Sequence, residues 1–137
     1  MVARRVEGVQ IERRADEILA LKEGSLEAHA INLSATAVYD LCDGHTSKSE
    51  MAAEIHRRTG LPADDEIVNL ALSELVETGL IVLDNLEFRS SVSRRALIRR
   101  LSLSSTLALM LPVVETVVVP TEADAASHTP TPTPTEL

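Results

Sequence analysis

The spacing of hydrophobic and polar positions changes period along this chain. From Val9 to Leu33 three short runs, VQIER, EILALK and LEAHAIN, read as strands, with Gly24-Ser25 turning the second into the third. In the third, Leu26, Ala28, Ala30 and Asn32 point one way and Glu27, His29 and Ile31 the other. Beyond Asn32 the period is helical, broken by clear stop signals. A first helix ends at Asp43-Gly44, and a second opens on the capping box Ser47-Lys48-Ser49-Glu50 and stops at Thr59-Gly60. A third runs from about Asp64 to Thr78, before Gly79. LIVLDNLEF then reads as a short hairpin turned at Asp84-Asn85. The expected fold is α+β, a winged helix-turn-helix over residues 9–90 behind an N-terminal arm, residues 1–8. It has a three-stranded antiparallel sheet, three helices and a short C-terminal hairpin.

In the third helix Val68, Ala71, Leu72, Leu75 and Val76 share one broad face, the core stripe. Ile67, Leu70 and Glu74 lie to one side of it. Two readings stand here: a wide core face under the hairpin, or the wall of a groove beside the sheet edge.

From Ser93 the character changes. Residues 94–100 hold four arginines in seven positions, and 12 of the 19 residues in 101–119 are apolar. Pro112, Glu115 and five Ser/Thr interrupt that run, so a spanning helix of about 20 apolar residues is marginal. The expectation is a basic, then apolar helix over 91–119 and a Pro/Thr-rich disordered tail over 120–137. Arg94, Arg95, Arg99 and Arg100 are candidate membrane or partner contacts, with three uses open. The helix docks on the domain's own acidic surface or on a partner. It meets anionic headgroups while the apolar run enters the bilayer. Or it serves export-type recognition, because Ser93–Arg99 approaches a twin-arginine pattern ahead of Ala123-Asp124-Ala125.

Charge narrows the partners. Residues 1–93 carry 9 Lys/Arg against 17 Asp/Glu, whereas residues 94–137 carry 4 against 4. An acidic fold repels phosphate backbones and favours basic or neutral partners. The third helix has no Lys or Arg, so it is a poor reader of DNA, where phosphate contacts supply most of the affinity. With one Tyr, one Phe and no Trp, there is no aromatic platform for bases, sugars or flavins. Met1–Gly24 is charged and lacks the apolar stretch of a signal peptide, which fits a cytoplasmic protein.

Little catalytic chemistry is visible. The single cysteine, Cys42, excludes an intrachain disulfide and reads as a small packing residue near a helix end. His29, His45, His56 and His128 have no zinc-ligand spacing. His56 beside Arg57-Arg58, and Asp64-Asp65-Glu66, complement the dipole at a helix C-terminus and N-terminus respectively. No metal, cofactor or enzymatic activity is expected.

The stretch Ala30–Leu80 resembles the PqqD family, the small pyrroloquinoline quinone biosynthesis proteins, and with it the wider class of precursor-peptide recognition elements. The matching features are Ile31-Asn32-Leu33 at the strand-to-helix junction and the helix Ala35–Leu41 with Cys42-Asp43-Gly44. They continue through the Ser47–Arg58 helix, Leu61-Pro62-Ala63-Asp64 and Ala71-Leu72-Ser73-Glu74-Leu75 with Gly79-Leu80. The likeness covers about residues 9–83. It departs at Asn69, where many members carry an aspartate, and at Tyr39, where a Trp or similar ring is common. The C-terminal extension also looks like one found in some such proteins.

The resemblance implies a non-catalytic adaptor. Such a domain binds the leader of a ribosomally made precursor peptide as an added strand and presents it to a maturation enzyme, of the radical SAM kind. Carried over to this chain, the edge is Glu27, Ala28, His29, Ala30 and Ile31, and the wall is Ile67, Leu70, Ala71 and Glu74. Two other functions stay in view: a membrane-associated interaction protein anchored by its C-terminal segment, and a winged-helix DNA-binding regulator.

Overall fold

The computed structural model describes residues 2–15, 17–84 and 93–118. Three strands form where alternation placed them: β2 (Val9–Arg13), β3 (Ile18–Lys22) and β4 (Glu27–Ile31). They pair antiparallel in sequence order, with Ile18 opposite Ile31 and Ala20 opposite His29. Those four side chains are buried, so the Glu27–His29–Ile31 face of β4 is the one turned to the core.

The helices follow their caps. In α1 (Leu33–Asp40), Asn32 accepts from the Ala35 amide. In α2 (Lys48–Thr59), the Ser47–Glu50 capping box is formed in both directions. In α3 (Asp65–Glu77), Asp64 accepts from the Glu66 amide. At the end of α2, Gly60 takes the left-handed conformation (φ 82°) that a side chain would strain. Helix α1 is buried from Ser34 to Tyr39, and α2 and α3 pack against it. Its small residues allow that close approach. On α3, Ile67, Val68, Leu70, Ala71, Leu72 and Leu75 are buried. Val76, placed on the core stripe by angle alone, is exposed.

The N-terminal arm is part of the fold. Its strand β1 (Ala3–Arg5) pairs with β5 (Ile81–Leu83) in a separate two-stranded sheet. Arg5 donates to the carbonyls of Tyr39 and Asp40, meeting the negative end of α1. The expected hairpin after Gly79 is thus seen only as β5, whose partner is β1; its second limb lies outside the described residues, as does the 120–137 tail.

The larger correction concerns residues 91–119, expected as one basic, then apolar helix. The described part holds α4 (Arg94–Arg100), α5 (Ser105–Ala108) and β6 (Val114–Val118). Helix α4 stops in a Schellman turn, with Ser102 at φ 50° and the Leu103 amide donating to Ile98. Pro112 then prevents a helix from running on, and the β-branched VVETVVV that follows favours a strand. Strand β6 pairs antiparallel with β4, so the sheet has four strands in the order β2-β3-β4-β6, not three. The described residues form an α+β fold with five helices and antiparallel sheets of two and four strands. None of these helices is long and apolar enough to cross a membrane.

Candidate functional site

Strand β4 has β3 on one side and, on the other, the edge singled out from the sequence. That edge is not open. Along its whole length it is paired with the chain's own residues: Glu27 with Val118, Ala28 with Val117, His29 with Thr116, Ala30 with Glu115 and Ile31 with Val114. The alternation puts Val114 and Thr116 on the core face beside Ile31 and His29. His29 Nδ1 lies 2.9 Å from Thr116 Oγ1. Burial keeps His29 less basic than an ordinary histidine; Glu27 opposes that shift and Lys22 adds to it.

The pairing continues past the strand through polar side chains that grip the main chain of residues 110–114. The Asn32 amide donates to the Val113 carbonyl (3.2 Å), and its Nδ2 donates to the Leu111 carbonyl (2.9 Å). Its Oδ1 accepts from the Val113 amide (3.1 Å) while also capping α1. Ser34 donates its hydroxyl to the Met110 carbonyl. Glu74 accepts from the Val114 amide at 3.1 Å, and Arg94 donates to the Pro112 carbonyl while lying 4.0 Å from Glu74. Between these clamps Leu111 is fully buried, and Pro112 is buried beside it.

The wall is occupied as well. At about 100° per residue, Glu66, Leu70, Glu74 and Ile67 fall on one contiguous face of α3. Helix α4 lies along it, with Arg100 reaching Glu66 (2.6 Å) and Asp64 (3.0 Å) at one end and Arg94 approaching Glu74 at the other. Leu97 sits midway on the same side of α4 and is fully buried. Ile67 and Ala71 are fully buried, Leu70 is 7% exposed and Glu74 is partly exposed. Arg95 and Arg99 point away into solvent.

The structure therefore brings the two halves of the expected site, Glu27–Ile31 and Ile67/Leu70/Ala71/Glu74, onto one continuous surface. It also covers that surface with residues 94–118. Asn32, Ser34 and Thr116 hold this contact and were not among the site residues expected. Asn32 had only the signal of a helix cap, and the other two had none.

The cysteine and a second histidine make local contacts. Cys42 is buried and donates to the Val38 carbonyl, and burial pushes its thiol up to about 12. His56 Nδ1 donates to the Leu61 carbonyl at 2.7 Å, tying down the turn after α2. Among the described residues no group of His, Cys, Asp or Glu could hold a metal ion. Comparison with protein-family models, with curated proteins and with solved structures gives no match to this chain.

Proposed function

We propose that this chain is a non-catalytic peptide-recognition domain that takes an extended segment by strand addition onto β4 and presents it to a modifying enzyme. Strand β4 supports this reading by taking a strand along its whole length, but its occupant here is the chain's own β6, which a foreign segment has to displace. Five consecutive residues of β4 accept a strand whose main chain is gripped by Asn32, Ser34 and Glu74. Such a site draws affinity from backbone groups, largely independent of sequence, and selectivity from a few pockets such as the one filled by Leu111. The winged-helix arrangement, with β1 and β5 as a ribbon beside α3, belongs to this proposal, as does a partner enzyme of the radical SAM kind. DNA binding finds no support, because α3 and its cap carry Asp64, Asp65, Glu66, Glu74 and Glu77 and no Lys or Arg. Membrane anchoring through α4 is not favoured either, because Arg94 and Arg100 are already committed to α3. Arg95 and Arg99 remain available for an acidic partner surface.

The test uses the full chain carrying Leu97→Asp and Leu111→Asp, which undocks residues 94–118. A fluorescein-labelled synthetic peptide of residues 94–118 with the natural leucines should bind this variant saturably, with rising anisotropy. If the variant keeps its circular dichroism spectrum and the peptide still fails to bind, strand addition at β4 is not the function.

A further inference from the structure

Resting on this reading of the β4 edge, we infer that the site takes a cationic peptide in two parts, carried on a separate chain. The first part is a helix with Arg or Lys on both sides of a leucine. The second is a β-branched strand led by a leucine, with a hydroxyl opposite His29. The present occupant shows what the site asks for. Arg94, Leu97 and Arg100 stand three residues apart and so share one side of α4. Arg100 pairs with Glu66 (2.6 Å) and Asp64 (3.0 Å), and Arg94 lies 4.0 Å from Glu74. Leu97 is fully buried between them. Glu66 and Glu74 are about 12 Å apart along α3, a span that calls for two cations rather than one.

The strand part is read more sparingly. Leu111 fills a buried site, and further on Thr116 sets its hydroxyl 2.9 Å from His29 Nδ1. Asn32 and Glu74 hold main-chain groups of Leu111, Val113 and Val114, so there the site selects extended shape rather than side chains. Between the two parts α5 buries no residue, and Leu109 is 82% exposed. The link is free to differ in a ligand; the anchors are not.

Tethering makes those anchors obligatory. The chain's own segment acts at an effective concentration of about 1 mM, so a peptide at about 10 μM needs roughly a hundredfold higher intrinsic affinity to take half the sites. Dropping a cation or a leucine widens that gap, because carboxylates of α3 or an apolar slot are left without a partner. The resident helix is itself easy to improve upon. It has seven residues, no acid in its first turn and two arginines at its positive end. A longer helix with the same anchors gains on it. The acidic balance of residues 1–93 acts in the same direction, drawing in positive peptides and repelling negative ones.

The undocked full-chain variant, Leu97→Asp with Leu111→Asp, is the target in each test. Labelled 94–118 peptide is titrated beside the same peptide carrying Arg94→Glu and Arg100→Glu. Binding of the reversed peptide is expected to be about tenfold weaker, with part of the loss recovered when Glu66→Lys is added to the domain. Equal binding of both peptides, or no recovery by Glu66→Lys, would overturn the cationic requirement and leave strand addition intact. Binding of neither peptide removes strand addition itself. A displayed library of random peptides, long enough to span helix and strand, is then selected on the same variant. Enrichment of Arg or Lys three residues to either side of a leucine is expected; neutral or acidic sequences, or no enrichment, would overturn the inference. So would a dimer formed on mixing the variant with the wild type, read by light scattering, since it would assign the site to a second copy.

Discussion

Asn32 serves two structures with one side chain. Its Oδ1 caps α1 and receives the Val113 amide, and its Nδ2 holds the Leu111 carbonyl. Asn32→Asp keeps the acceptor, removes the donor and adds a negative charge, leaving the Leu111 carbonyl against a carboxylate. The expected cost to docking is about 1–3 kcal/mol, visible as faster hydrogen exchange at Val113–Val118 with helical circular dichroism unchanged. His29 makes the same contact sensitive to acid. Its basicity is lowered, chiefly by burial, and the expectation is that it rises toward normal where undocking of β6 lets water reach the ring. Docking therefore keeps its full strength above pH of about 6.5 and weakens as pH falls below that value toward the lowered docked value. Protection of the β4 amides should be weaker at pH 5.5 than at pH 7.5, and His29→Gln should flatten the difference. Ser102 is the one non-glycine residue among those described with positive φ, closing the turn after α4. Ser102→Gly relieves this at some cost in chain entropy, for a net gain of about 0.5–1 kcal/mol and a rise in thermal midpoint of roughly 2–5 °C.

At the level of elements, α4 is held to α3 by charge at its ends and apolar contact at its middle. The ion pairs of Arg94 and Arg100 are partly exposed and are worth about 0.2–1 kcal/mol each. Burying Leu97 and Leu111 is worth about 1.5–3 kcal/mol each. The apolar contribution wins, so raising salt to 1 M should leave the segment docked, whereas Leu97→Asp should release it. Leu70→Glu, on the face of α3 beneath α4, should also release it while the remaining fold still melts cooperatively; loss of the whole fold would instead make Leu70 an internal core residue. The strands β2 to β4 and helices α1 to α3 were legible because their signals are local: alternation, a capping box, glycines at stops. Strand β6 was not. Its run of valines follows a leucine-rich stretch, and apolar content alone does not separate helix from strand. The break at Pro112 and the shift to β-branched residues were the available signals. Strand β1, three residues long, offered too short a pattern to read.

For the molecule as a whole, the candidate edge and wall could be placed from periodicity and resemblance, but their occupancy could not. Pairing His29 with Thr116 joins residues 87 positions apart, and no local pattern announces such a contact. The acidic balance of residues 1–93 and the arginines of α4 were both evident, yet their mutual attraction was one of three uses left open. Their meeting on α3 turns a domain expected to wait for a foreign strand into one that already holds its own. Hydrogen exchange at Glu27–Ile31 in the untreated full chain tests this most directly. The account predicts slow exchange across β4, as in β3, accelerated at least tenfold by Leu111→Asp. Exchange in the wild-type β4 edge as fast as in the exposed Gly24 turn would contradict it.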